Sequence, residues 1–75
     1  MKKYELEELL IKKGVPDSAF SINGIRRYEA LCLIEGEKWK VVYNSRGNIT
    51  FSQEFDTEEE ACKFIYNEMK KDYGF

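Results

Sequence analysis

The segment from Gly36 to Tyr66, GEKWKVVYNSRGNITFSQEFDTEEEACKFIY, constrains the fold more than any other stretch of the chain. Two runs of strand-forming residues flank a Ser-Arg-Gly turn, and an acidic cluster then opens an amphipathic stretch. An alternation of period two specifies a strand, and apolar recurrence every three or four residues specifies a helix. Asp56-Thr57-Glu58-Glu59-Glu60 supplies the helix start: Asp56 or Thr57 can cap, and Thr57-x-x-Glu60 has the spacing of a capping box. Beyond it, Ala61, Ile65 and Met69 run down the middle of a stripe with Cys62, Phe64, Tyr66 and Tyr73 at its edges. That stripe is wide enough to cover a small sheet. Gly74 marks its end.

A register follows from the same segment. Tyr28 to Glu35 and Lys38 to Asn44 read as strands, and a two-residue Gly36-Glu37 loop between them pairs Ile34 with Trp39, Cys32 with Val41 and Ala30 with Tyr43. All six are apolar or aromatic, and Glu35 and Lys38 then make an oppositely charged edge pair. A three-residue Ser45-Arg46-Gly47 loop ending in a left-handed glycine pairs Tyr43 with Ile49, Val41 with Phe51 and Trp39 with Gln53. This keeps one apolar face continuous over three strands.

The first half of the chain is plainer. Leu6, Leu9 and Leu10 share one helical face, so Tyr4 to Lys13 is expected to be a helix, ended by Gly14 and Pro16. Phe20 and Ile22 alternate with Ser21, as in a short strand, and Asn23-Gly24 is a turn pair that could close a hairpin with the next strand. The expected fold class is α+β: a helix, a short strand, a three-stranded antiparallel meander, and a C-terminal helix packed on one sheet face. Residues 1–75 form one domain, whose core is small because a chain of this size buries only about 60% of its unfolded surface. Eleven aromatic residues (five Phe, five Tyr, one Trp) raise the area each buried side chain contributes.

Composition narrows the function classes. The net charge of −2 and the pI of about 5.2 do not make a nucleic-acid footprint. The basic pairs Lys2-Lys3, Lys12-Lys13, Arg26-Arg27 and Lys70-Lys71 all have carboxylates nearby. No run approaches the ~20 apolar residues of a membrane span, and Glu5, Glu7 and Glu8 interrupt the start of what would otherwise open like a signal peptide. Two cysteines without a CxxC fit free thiols in a reducing, cytoplasmic setting.

No catalytic constellation is present. Histidine is absent, so the usual general base near neutral pH is missing and a Ser or Cys nucleophile has no imidazole to activate it. The consecutive acids Asp56, Glu58, Glu59 and Glu60 fan around a helix end rather than converge on a cation, and no zinc set exists. The expectation is a non-enzyme without cofactor or metal. Two surfaces remain as partner sites. In the register above, Leu31, Leu33 and Val42 lie together with Glu29 on the sheet face away from the C-terminal helix, where either the first helix or a partner must cover them. The acidic start at Asp56, Glu58 and Glu59 offers carboxylates to a basic partner.

The stretch W-K-V-V-Y-N-S-R-G-N followed by F-D-T-E-E-E-A-C-K-F-I-Y, with the opening L-L-I-K-K-G-V-P-D-S-A-F-S-I-N-G, resembles small bacterial immunity proteins of polymorphic toxin systems, the family of immunity protein fifty-nine. The likeness runs from Leu9 to Tyr66. It departs at the turn, where Asn44-Ser45-Arg46-Gly47 lacks the glutamate that precedes the arginine in the family pattern. Trp39, Gly47, Phe55 and Ala61 are the motif positions that any protein of this fold would need. The resemblance implies an inhibitor that binds and blocks a cognate protein toxin. It leaves homo-oligomerisation open. The competing expectation is a small nucleic-acid-associated or regulatory binding module using Arg26, Arg27, Lys40 and the strand aromatics.

Overall fold

The leucine ladder and the capped acidic start each become a helix. In the structure, a computed structural model that describes residues 1–25 and 29–75, helix α1 spans Lys3–Lys12 and helix α2 spans Glu58–Tyr73. Thr57 is the N-cap of α2: its Oγ1 accepts the Glu60 N–H at 3.2 Å and donates to the Glu60 carboxylate at 3.0 Å. Gly74 closes α2 in the left-handed region, at φ 69°, and its N–H donates to the Lys70 carbonyl. Ala61, Cys62, Ile65 and Met69 are the buried stripe. Between the helices lie a 3-10 turn, Asp17–Ala19, and four strands: β1 (Phe20–Ser21), β2 (Ala30–Ile34), β3 (Trp39–Ser45) and β4 (Asn48–Phe55).

The sheet is mixed, in the order β1-β2-β3-β4, with β1 parallel to β2 and the other pairs antiparallel. The α+β class and both helices agree with the sequence; a purely antiparallel meander beside a separate short strand does not. The expected Asn23-Gly24 hairpin is absent, because a parallel partner cannot be reached by a tight turn. Instead the Gly24 N–H donates to the Leu33 carbonyl at 3.0 Å, extending the β1–β2 contact past Ser21. The expected strand start at Tyr28 lies outside the described residues.

The β2–β3 register is one residue away from expectation. Ile34 pairs with Lys40, Leu33 with Val41, Cys32 with Val42, Leu31 with Tyr43 and Ala30 with Asn44. A one-residue slip turns every β2 side chain to the other face. Leu31 and Leu33 now point toward the helices, while Ala30, Cys32 and Ile34 point away. Both faces are buried at these positions, so the slip sorts side chains by size: the leucines enter the large cluster under the helices and Ala30 and Cys32 the small one opposite. The charge pair Glu35–Lys38 that favoured the short loop is a weak opponent, since exposed pairs contribute about 1 kcal/mol at most.

The β3–β4 turn is also shorter than expected. Arg46 and Gly47 form a two-residue turn with φ 52° and 90°, and Ser45 pairs with Asn48. Both central residues at positive φ match the turn that follows the twist of a hairpin. A bulge then inserts Thr50, so that Asn44 pairs with Ile49 but Tyr43 pairs with Phe51. The bulge returns Phe51 to the helix side and leaves Ile49 on the opposite face, and Trp39 pairs with Phe55 instead of Gln53.

Both helices pack on one face. Leu6 and Leu10 of α1, the α2 stripe, and Phe20, Ile22, Leu31, Leu33 and Val41 form one buried cluster. Trp39, Tyr43, Phe55 and Phe64 are half-buried against it. On the far face Ala30, Cys32 and Val42 make a second, smaller cluster.

Candidate functional site

The structure separates the expected partner surfaces. Leu31 and Leu33 are 6% and 0% exposed beneath the helices, and Val42, 3% exposed, lies on the opposite face. They form no common patch; the register slip explains the correction. Neither covering expected for them applies as stated, because α1 and α2 share the Leu31/Leu33 side. Glu29 stands exposed just before β2.

The acidic helix start is engaged by the chain itself. Asp56 lies 3.5 Å from the Lys38 amine. The Glu58 carboxylate accepts the Lys3 backbone N–H at 2.7 Å and lies 3.6 Å from the Lys2 amine, so α2 caps the first turn of α1. An anion there meets both the unpaired N–H groups and the positive end of the helix dipole. Glu59 pairs with the Met1 ammonium at 3.0 Å, which holds its carboxyl below the ordinary range. Glu59 remains well exposed, at 71%, and Glu58 does not, at 18%.

An aromatic concave surface lies elsewhere, between the C-terminal half of α2 and strands β3 and β4. Leu31, Tyr43 and Phe51 stand in one row across β2, β3 and β4. Along that row is a cavity of about 240 Å³ lined by Leu31, Tyr43, Thr50 and Phe51 from the sheet and by Phe64, Glu68, Met69 and Asp72 from α2. The Phe51 and Phe64 rings stack at 5.5 Å with planes 4° apart, and Phe55 tilts against Phe64 at 5.4 Å. A second recess, sharing Tyr43, Met69 and Asp72, continues to Glu29 and Tyr73. The two recesses together are lined by aromatic side chains and three carboxylates, Glu29, Glu68 and Asp72.

Electrostatics agree with that geometry. Burial raises the Tyr43 phenol above its ordinary pKa, and Glu29, Asp72 and Tyr73 raise it further. The phenol therefore stays protonated and the groove carries negative potential. Glu68 pairs with Lys71 at 3.3 Å on the exposed side of α2. Neither Asp72 nor Glu29 forms an ion pair with a described residue. Such a surface suits a cation carried on an apolar or planar stem.

Neither cysteine lines the groove. Cys62 is buried on the inner side of α2, and burial, reinforced by Glu58, pushes its thiol up to about 11. Cys32 is buried in the small far-face cluster. Among the described residues no group of three or more Cys, Asp and Glu side chains could hold a metal ion, and no helix is long and apolar enough to cross a membrane. Of the residues expected at a partner site, Leu31 and Glu29 line the groove, Leu31 as a buried residue and Glu29 as an exposed one. Glu68 and Asp72 were missed, although their four-residue spacing beside Met69 places two carboxylates along one edge of the apolar stripe. Arg26 and Arg27, the basic pair of the nucleic-acid reading, lie outside the described residues.

Comparison of the chain with protein-family models, with curated proteins and with solved structures found no match. The likeness to immunity proteins thus rests on the motifs quoted above.

Proposed function

We propose that this chain is an immunity-type inhibitor that binds a cognate bacterial protein toxin in the cytoplasm and blocks it sterically, with no chemistry of its own. The observation that carries the reading is the groove, whose lining joins the aromatic side chains of Tyr43, Phe51 and Phe64 to the carboxylates of Glu29, Glu68 and Asp72. Toxins that act on nucleic acid present lysine and arginine to phosphate, and a carboxylate-lined surface competes for those same groups. The sequence resemblance supplies the class of partner, and the groove supplies a surface of matching charge. The test is co-expression with the toxin encoded beside this chain's gene. A stable complex with loss of toxin activity is expected. A toxin that stays active and unbound sinks the proposal, and salt-sensitive binding to RNA by the chain alone replaces it with the nucleic-acid reading.

A further inference from the structure

Strand β4 is an edge, and seven of its eight residues are exposed. Its sequence, NITFSQEF, holds a single charge, Glu54, and neither lysine nor proline. Edges of that length are ordinarily guarded by such residues, because their unpaired N–H and C=O groups accept another strand. The opposite edge, β1, is only two residues long. Phe51 of β4 stacks on Phe64 of α2 at this same edge, and both rings line the groove together with Glu68 and Asp72.

We propose that β4 and the groove form one docking site for an extended basic segment of a partner protein. The segment adds to the sheet along β4, and an arginine opposite Phe51 crosses the Phe51–Phe64 stack to meet Glu68 and Asp72. Sheet strands lie about 4.8 Å apart, a distance an arginine side chain exceeds. The planar guanidinium can lie against the rings while its fork reaches the carboxylates, which a lysine ammonium does less well. Backbone pairing supplies affinity and the groove supplies selection, as in other strand-addition complexes. Charge decides against a second copy of this chain. Antiparallel self-pairing of β4 keeps both α2 helices on one side and puts Asp72, which has no ion-pair partner among the described residues, on that side in both copies, while Glu68 is already paired with Lys71. The proposal rests on the inhibitor reading for the partner's identity, while the chemistry of the site stands without it.

The probe is an acetylated and amidated pentapeptide, Thr-Val-Arg-Val-Thr, titrated into the isotope-labelled protein and followed by amide chemical shifts. Saturable shifts are expected for Ile49 to Glu54 and for Tyr43, Glu68 and Asp72. The same peptide with glutamate in place of arginine should leave them unmoved. The double variant Glu68→Lys/Asp72→Lys, which changes only groove-edge residues, should weaken the arginine peptide by roughly tenfold or more. Shifts confined to other elements, or equal responses to both peptides, overturn the site. So do β4 amides that move on dilution without peptide, which would place a second copy at the edge. Peptide binding by a chain that ignores its neighbouring toxin overturns the inhibitor reading alone. Toxin neutralisation without any peptide response overturns the docking site alone.

Discussion

At the scale of single residues, Cys62 shows what burial does to a titratable group. Its thiol ionises near 9.0 when free and near 11 in the fold, because burial and the Glu58 carboxylate both penalise the thiolate. The native thiol is therefore neutral and inert at pH 8, and stoichiometric labelling by a thiol reagent should follow global opening of the chain. The sign of the linkage is fixed. The folded pKa lies above the unfolded one, so the contribution to stability is complete below pH 9 and is lost as pH rises toward 11. The rise from 9.0 to about 11 sets the size of that loss. Urea titrations of wild type and Cys62→Ala across that range should show the wild type falling more steeply. Parallel curves would show that the thiol is not shielded.

At the scale of elements, one contact between segments distant in sequence and one irregularity within a hairpin carry predictions. Glu58 joins the starts of both helices: it belongs to the first turn of α2 and accepts the Lys3 N–H of α1 at 2.7 Å. Glu58→Ala should cost roughly 1–2 kcal/mol, the range for losing a helix cap, with protection of the α1 amides falling first in hydrogen exchange. Loss spread evenly over both helices would show that the link is incidental. The bulge at Thr50 is the other case. It bends the otherwise unguarded β4 edge. Deleting Thr50 restores one-to-one pairing and keeps Phe51 opposite Tyr43. The variant should fold with the Phe51–Phe64 stack kept, which contacts between the two rings in nuclear Overhauser spectra check; loss of those contacts would show that the bulge is needed to hold Phe51 on the helix side.

Local signals in the sequence matched these elements well. Thr57, Gly74 and the Ala61/Ile65/Met69 stripe fixed α2, and Arg46-Gly47 fixed the existence of a turn if not its length. What failed was non-local. The β2–β3 register depended on whether the Gly36 loop was two residues or longer, and both alternatives put apolar residues together. The parallel β1–β2 pair has no signature in a two-residue strand. The groove exists only once α2 crosses the Leu31–Tyr43–Phe51 row, so Glu68 and Asp72 read from sequence as ordinary solvated helix charges.

For the molecule as a whole, the near-balance of 14 acidic and 12 basic residues hides an uneven distribution. At the starts of the two helices, Glu58, Glu59 and Asp56 meet Lys2, Met1 and Lys38, so much of that charge is compensated internally. At the groove, Asp72 and Glu29 lack such partners. A net charge of −2 gives little long-range pull, so any steering of a basic partner comes from this local field. Fields of that kind are screened over about 8 Å at physiological salt. Association with a basic toxin should therefore slow by roughly tenfold or more when salt is raised from about 0.05 to about 0.5 M, while the dissociation rate changes much less. Glu68→Lys/Asp72→Lys should bind slowly already at low salt and lose most of that dependence, whereas reversal of Glu59, on the far end of α2, should leave it in place. Stopped-flow mixing of the three proteins with toxin separates the two surfaces. If the Glu59 variant alone loses the salt dependence, the helix start is the binding surface and the groove is not.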